Sequence, residues 1–268
     1  MSDSTPVHSE RRSVAYLNDK FLNSPDARAL RILSEFLEPL AHFRREKVRD
    51  TVVFFGSARI KDDGGQMARY YEDARTLARL LTEWSQQFTN STYRFVVCSG
   101  GGPGIMEAAN RGAHEVGGKT VGLNIGLPFE QFPNPYITPS LSFEFHYFFM
   151  RKFWFSYLAK ALVVFPGGFG TLDEMMEILT LTQTQKLAKK MTILVYGSAY
   201  WKKIINFEAL VEHGMISAED LALFQFVDDP ATAFELLKEG LTVYANQHDT
   251  PEVPAVAKSV NPQKPEGA

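Results

Sequence analysis

The chain is poor in cysteine, in charge of one sign and in long apolar runs. Cys98 is the single cysteine among 268 residues, which excludes an internal disulfide and is typical of a reducing compartment. The net charge of −3 gives no overall attraction for a nucleic acid polymer. No apolar run approaches the roughly 20 residues that span a bilayer, and residues 1–12 contain no apolar core. We therefore expect a cytoplasmic protein without a signal peptide, membrane contact or nucleic acid partner.

Three signatures of common sites are missing as well. The six histidines are scattered and show no H-x-x-x-H spacing, so we expect no metal. There is no G-x-x-x-x-G-K-[ST] P-loop, and the glycine turn at residues 100–104 departs from the strict G-x-G-x-x-G dinucleotide pattern. No acidic residue ends the next strand-like run, where a ribose contact would lie. The glycine turns therefore favour a mononucleotide over a dinucleotide.

Short apolar runs alternate with helix-like segments through most of the chain. Strands are predicted at residues 51–55, 94–98, 120–124, 141–145, 161–165, 192–196 and, more weakly, 224–227. Helices are predicted at residues 67–88, 105–116, 148–158, 172–187 and 200–213. This alternation predicts an α/β fold with a Rossmann-like, doubly wound parallel sheet of about seven strands and helices on both faces. Residues 50–245 would form one nucleotide-binding catalytic domain.

The two ends of the chain differ from this domain. Ser24 and Pro25 predict the start of an N-terminal helical extension over residues 24–49, with Ser24 as the cap. The buried face of that helix is predicted to contain Leu30, Leu33, Phe36, Leu37, Leu40 and Phe43. We expect disorder over residues 1–23 and in the polar, proline-rich tail at residues 246–268.

Glycine-rich turns follow several of the predicted strands, at residues 56–59, 99–104, 124–128 and 166–174. Ligands bind beyond the carboxyl ends of parallel strands, and glycines let a phosphate approach the backbone N–H groups of a helix start. Glycine and proline are also ordinary turn residues, but their agreement at several strand ends favours a phosphate or nucleotide site. The proline-rich residues 124–140 on this side are predicted to form a lid over the base rather than a plain connection.

The turn at residues 166–174, P-G-G-F-G-T-L-D-E, is the most informative of these. Thr171 lies near a predicted helix start, and Glu174 lies about one turn further on. A carboxylate at that place can face whatever a bound phosphate carries. The same spacing also fits a capping box, in which Thr171 caps the helix and Glu174 binds the N–H of the cap.

An aromatic segment at residues 143–155 contains two cations, Arg151 and Lys152. A helix from about Phe148 would be apolar around most of its circumference, and hence buried in a core or a subunit interface. Burying either cation unpaired costs several kcal/mol, so we expect an anion nearby: a carboxylate such as Glu174, a ligand phosphate, or both. The alternative is that both long side chains reach past the apolar surface into water.

With these residues in view, the chain resembles the LONELY GUY (LOG) family of cytokinin riboside 5′-monophosphate phosphoribohydrolases, long labelled "possible lysine decarboxylase". Residues 150–152 and 166–174 are similar to its M-x-R-K and P-G-G-x-G-T-x-x-E signature, and residues 99–104 to its second glycine turn. The N-terminal helix and the tail resemble the longer bacterial branch. The resemblance implies cleavage of a nucleoside 5′-monophosphate, such as AMP, to a free base and ribose 5-phosphate without a metal or organic cofactor. It also implies a homodimer or larger homo-oligomer with the active site at the interface.

The resemblance implies roles for individual residues. Arg151 and Glu174 match the family's catalytic pair, with Glu174 stabilising a cation-like sugar and activating water. Glu130 is our candidate for the family's substrate-binding glutamate in the loop before Arg151. Substrate contacts are further implied for Lys152, Gly167, Gly168, Gly170, Thr171, Thr180, Ser57, Gly101 and Gly102.

Two binding functions stay open beside the enzyme. Molybdenum-cofactor carrier proteins resemble this fold and share the P-G-G-x-G-T turn, but they do not cleave their ligand. A nucleotide sensor that regulates a partner would use the same turns. Glu174 and the run at residues 150–152 favour hydrolysis. Decarboxylation is not expected, because no lysine stands out as a pyridoxal phosphate ligand.

Overall fold

The computed structural model describes residues 14–88, 91–126, 132–187 and 191–245, which contain a seven-stranded, all-parallel sheet. The strands are β1 Thr51–Phe55, β2 Val96–Ser99, β3 Thr120–Ile125, β4 Ser142–Phe145, β5 Ala159–Val164, β6 Thr192–Tyr196 and β7 Gln225–Val227. The α-helices are α1 Asp19–Leu22, α2 Arg28–Arg45, α3 Ala68–Ser85, α4 Ile105–Glu115, α5 Phe148–Leu158, α6 Phe169–Gln183, α7 Ser198–Ile204, α8 Phe207–Glu212 and α9 Pro230–Ala245.

Helices cover both faces of the sheet, because its strands are apolar on both sides. In β1, Val53 and Phe55 enter a core shared with α2, α5, α6, α7 and α8. The alternate residues Val52 and Phe54 enter a second core with α3, α4 and α9. This two-sided burial is what turns a run of apolar residues into a central parallel strand. The predicted doubly wound fold is confirmed.

The strand order β4-β3-β2-β1-β5-β6-β7 reverses direction between β1 and β5. In doubly wound sheets, ligands bind at such a reversal, outside the carboxyl ends of the strands. The register aligns Phe54 of β1 with Ser99 of β2 and Val163 of β5. The glycine turns that follow these three strands are therefore brought to the same edge of the sheet.

The observed elements differ from the predicted ones at several places. Helix α9 at Pro230–Ala245 was not predicted. The prediction that Ser24 caps the N-terminal helix is wrong, because α2 begins at Arg28, after a 3-10 helix at Pro25–Ala27. The single helix expected over residues 200–213 is two helices, because the chain is extended at Ile205 and the Asn206 side chain caps α8. The helix expected from residue 172 begins at Phe169. The described part of the N-terminal segment, from Val14, contains a 3-10 helix at Ala15–Leu17 and the one-turn α1.

The N-terminal helix α2 packs against one side of α5. Only part of the predicted apolar face of α2 is buried in this contact. Phe43 is buried, and Phe36 and Leu40 are partly buried against the same core. About half of each of three leucine side chains remains exposed, namely Leu30, Leu33 and Leu37. The prediction that all six residues are buried is therefore wrong for the single chain. None of the helices in the described part is long and apolar enough to cross a membrane.

Two contacts fasten α2 to α5. Pro39 inside α2 has no N–H to donate, which leaves the carbonyl of Glu35 without its helical donor. The Trp154 indole N–H of α5 donates to that carbonyl at 2.9 Å. The Glu35 carboxylate accepts the backbone N–H groups of His146 at 2.8 Å and Tyr147 at 3.2 Å, just before α5 begins. The N-terminal extension thus fixes the start of the helix that carries Arg151.

Candidate active site

A cavity of about 320 Å³ opens at the carboxyl ends of β1, β2, β3 and β5, at the reversal of strand order. The charged side chains among its described lining residues are Arg59, Arg151 and Glu174. Ser57, Asn124 and Thr171 add polar groups. The apolar part of the wall consists of Phe55, Ala58, Met106, Ile125, Phe148 and Phe155.

Glu174 is held inside this cavity by the position at which α6 begins. The helix starts at Phe169, so its N-cap residue is Gly168 and no side chain caps it. Thr171 therefore lies within the first turn, and Glu174 lies one turn beyond the last free N–H group. The capping-box alternative for Thr171 and Glu174 is wrong. Glu174 is only 5% exposed, and its burial needs another explanation.

Arg151 and Glu174 face each other across a gap that is too long for a hydrogen bond. The distance from Arg151 Nη2 to Glu174 Oε1 is 3.7 Å. Glu174 Oε1 and Arg151 Nε are both buried and have no hydrogen-bond partner among the described residues. Folded proteins rarely leave such atoms unsatisfied without a functional reason. Their position on the cavity wall indicates that a bound molecule supplies the missing partners.

Burial dominates the electrostatics of this pair. It raises the pKa of Glu174 to about 7, although Arg151 and Lys152 act in the opposite direction. Burial likewise lowers the pKa of Arg151, which nearby carboxylates, Glu174 first, partly restore. An arginine still remains protonated, because its ordinary pKa lies above about 12. Glu174 can therefore accept and release a proton near neutral pH, as a general acid–base group must.

Both Arg151 and Lys152 have carboxylates beside them, as expected, but not the same carboxylates. Arg151 is largely buried, faces Glu174 and lies over the rings of Phe148 and Phe155, at 5.1 and 5.6 Å from their centroids. Lys152 forms ion pairs of 2.8 Å with Asp173 and with Glu177 of α6. It does not line the cavity, so in this chain it joins α5 to α6.

The first turn of α6 leaves room for a ligand. Gly168, Gly170 and Thr171 line the cavity, and a Cβ atom added to either glycine would meet no other atom within 4 Å. The protein's own packing therefore does not require glycine at these two positions, whereas close approach of a ligand to the backbone would. Gly167 lies behind the turn, where an added Cβ would overlap the Thr171 side chain.

The glycine turn after β2 contributes less to the cavity than predicted. Gly100 lines it, but Gly101 and Gly102 are buried and do not. Their carbonyl oxygens each accept a hydrogen bond of 3.1 Å from the Asn134 side chain. Asn134 thereby ties the described end of the proposed lid, residues 132–140, to this turn. Gly101 and Gly102 support the cavity from behind, and a direct substrate contact by them stays a prediction.

Three further predicted positions have different outcomes. Ser57 lines the cavity, and its hydroxyl accepts the backbone N–H of Arg59 at 3.0 Å. Thr180 is exposed on α6, where its hydroxyl donates to the carbonyl of Met176. Six residues of helix place it about 120° around the helix axis from Glu174, away from this cavity. Glu130 lies outside the described residues.

Sequence reasoning missed several residues of the site. Arg59 had a usable signal, because it lies in the glycine turn after β1. Met106, Phe148 and Phe155 had none beyond their apolar character, since core residues show the same pattern. Asn134 was not recognised either, because the two glycine carbonyls that it binds lie more than 30 residues away in the chain.

Known proteins are similar to this chain in sequence and in fold. The family model described as "possible lysine decarboxylase" matches residues 106–237. The chain is 23% identical to the cytokinin riboside 5′-monophosphate phosphoribohydrolase LOG2 of Arabidopsis thaliana over 207 residues, covering 76% of this chain and 88% of the relative. It is 28% identical to the probable phosphoribohydrolase LOGL5 of Oryza sativa subsp. japonica over 223 residues, covering 75% and 82%.

A solved structure supports the fold independently. The X-ray structure of TM1055, a structural genomics target, matches with a TM-score of 0.50 and 19% identity, over 71% of this chain and 99% of that chain. None of the described residues that line the cavity is a lysine. By sequence, the chain is similar to the possible lysine decarboxylase family over residues 106–237 and to the LOG proteins over about three quarters of its length.

Proposed function

We propose that the protein hydrolyses the N-glycosidic bond of nucleoside 5′-monophosphates, AMP or a cytokinin riboside 5′-monophosphate, to a free base and ribose 5-phosphate. The observation that carries this proposal is the buried pair of Arg151 and Glu174 at the wall of a cavity, in which Arg151 Nε and Glu174 Oε1 lack hydrogen-bond partners among the described residues. The plant relatives are named as phosphoribohydrolases, one of them as a probable one, and these names support the same reaction.

The cavity offers a separate place for each part of a nucleotide. The phosphate binds at the start of α6, where first-turn N–H groups have no helical acceptors and Gly168 and Gly170 leave space. The sugar then lies beside Glu174, one turn further along the helix. The base packs against apolar side chains of the wall, which include Met106 and Phe155.

The bond is broken by water with Glu174 as the proton carrier. As the bond from C1′ to the base nitrogen breaks, its electron pair moves to the base and the sugar becomes cation-like. The ionised Glu174 stabilises that charge and takes a proton from the attacking water, whose oxygen bonds to C1′. The departing base gains a proton in turn, so that water is split between the two products. The step needs no metal and no organic cofactor.

Arg151 acts on the same step through its charge. It lowers the pKa of Glu174 against the larger effect of burial, so a fraction of the carboxylate is ionised near neutral pH. Its unpartnered Nε can also donate a hydrogen bond to the substrate. Binding energy from the phosphate, remote from the reacting bond, holds the sugar in place between these two side chains.

Incubation of the purified protein with AMP, followed by chromatography, tests the proposal. We expect adenine and ribose 5-phosphate in equal amounts. A prenylated AMP and the other common monophosphates, run in parallel, define the preference for the base. AMP that binds but is recovered intact, together with no release from any of the other substrates, would contradict the proposal. It would favour a carrier or sensor instead.

A further inference from the structure

Arg59 is a cation on the cavity wall that the catalytic step above does not use. It lies in the turn after β1, and its side chain is exposed while lining the cavity. The turn itself is rigidly placed. The Ser57 N–H donates to the carbonyl of Pro166 at 3.0 Å, and the Ser57 carbonyl accepts the N–H of Ile105 at 3.1 Å. Arg59 is therefore held between the start of α4 and the turn that leads into α6.

Two helix starts lie near Arg59, and that of α4 also carries a carboxylate, Glu107, in its first turn. The starts of α4 and α6 each carry the positive end of a helix dipole. The other cation on the wall, Arg151, is already opposed by Glu174. Arg59 forms no ion pair within the described part of the chain, and its backbone N–H is taken by Ser57 Oγ. The missing negative charge at this end of the cavity must come from the ligand or from solvent ions.

We propose that Arg59 determines specificity by contacting the 5′-phosphate, so that the site prefers a nucleoside 5′-monophosphate to the uncharged nucleoside. This inference rests on the proposed function, which places the sugar at Glu174 and the phosphate at the glycine turns. A guanidinium suits this task, since its planar fork can bind two phosphate oxygens at once. Its exposure at the rim also lets it attract the dianion before docking.

Arg59→Gln tests the inference through the choice between AMP and adenosine. We expect KM for AMP to rise about 10- to 100-fold, as the loss of one charge-assisted contact predicts, with kcat changed by less than about threefold. The ratio of kcat/KM for AMP to that for adenosine should fall by the same factor. Arg59→Lys should recover part of the loss, because it keeps the charge without the fork.

Lys61→Gln is the matched control, because Lys61 is an exposed cation two positions further that does not line the cavity. It removes the same charge and should leave the AMP-to-adenosine ratio unchanged. Equal ratios for Arg59→Gln and Lys61→Gln would overturn the inference. If the wild-type protein cleaves no nucleotide, calorimetric Kd values for AMP and adenosine replace the kinetics. If Arg59→Gln then loses affinity for AMP but not for adenosine, the phosphate contact is supported although hydrolysis fails. If its affinity for AMP is unchanged, the phosphate contact is overturned together with the proposed hydrolysis.

Discussion

The Glu174 carboxylate has the catalytic role proposed above, and its burial also lowers the stability of the folded protein when it ionises. Burial raises its pKa from an ordinary value of 4.5 to about 7. Between these two values the folded protein holds a proton that the unfolded chain has lost. The stability from this group is therefore complete below pH 4.5 and is lost as the pH rises through about 7.

Glu174→Gln should therefore stabilise the protein in a pH-dependent manner. Glutamine cannot ionise, so we expect its advantage in the free energy of unfolding to grow by about 2 to 3 kcal/mol between about pH 5 and pH 8. Urea unfolding of both proteins at the two pH values measures this. Glu177→Gln is the control, because Glu177 pairs with Lys152 and its loss should not stabilise the fold. An advantage that is the same at both pH values would show that Glu174 is not a buried, shifted acid.

Individual residues of the site could be predicted only where a motif marked them. Arg151 and Glu174 stand in recognisable runs, and the structure brings them together from two helices. Lys152 stands in the same run, but the direction of its side chain depends on α6, which offers Asp173 and Glu177. Which carboxylates pair with Lys152 depends on how α5 packs against α6, and a single sequence does not reveal that packing.

At the scale of elements, the N-terminal extension is part of the site because it holds the start of α5. Glu35→Ala removes the acceptor of the N–H groups of His146 and Tyr147. We expect a loss of about 1 to 3 kcal/mol in the free energy of unfolding, the usual contribution of hydrogen bonds to a charged group. The turnover of AMP should fall as well, because Arg151 begins the second turn of this helix.

Glu38→Ala is the matched control for Glu35→Ala. Glu38 lies about one turn further on α2 and is exposed, so its loss should change neither stability nor turnover appreciably. Thermal unfolding and steady-state rates on the two variants measure the difference. Equal behaviour of both variants would mean that α2 does not support α5 through this carboxylate.

The bounds of the elements were predictable where apolar periodicity ends abruptly, and less so elsewhere. All seven strands lie within about two residues of their predicted places, because apolar runs flanked by turn residues define buried strands. The start of α6 was missed by three residues, since Gly168 provides the cap position that Thr171 was expected to occupy. The hydrogen bonds from Asn134 to Gly101 and Gly102 form only in the folded chain, so no local sequence pattern predicts them.

At the scale of the whole molecule, the strand order explains why the site lies where it does. Alternating strands and helices predict right-handed crossovers, and these fix a parallel sheet. They do not fix which strands are neighbours, so the reversal between β1 and β5 is known only from the structure. That reversal brings the turns after β1, β2 and β5 around one cavity.

Exposed apolar side chains near the cavity lead us to propose that the protein is a homodimer or larger homo-oligomer. Phe169 is 92% exposed, and about half of each of Phe148 and Phe149 is exposed. Clustered apolar groups of this kind mark interaction surfaces. Light scattering should therefore give at least twice the chain mass of 30.2 kDa. Phe149→Glu should lower the mass, while Val243→Glu on the opposite face should not. A wild-type mass of one chain would contradict the proposal.

The most direct test of the account is the rate of adenine release from AMP by Glu174→Gln and Glu177→Gln. Both variants remove one carboxylate from α6, but only Glu174 lines the cavity. The account predicts that Glu174→Gln lowers kcat by about 100-fold or more while AMP still binds, as expected when a general acid–base group is lost. Glu177→Gln should keep most of the rate. Full turnover by Glu174→Gln would contradict the proposed chemistry of the Arg151–Glu174 pair.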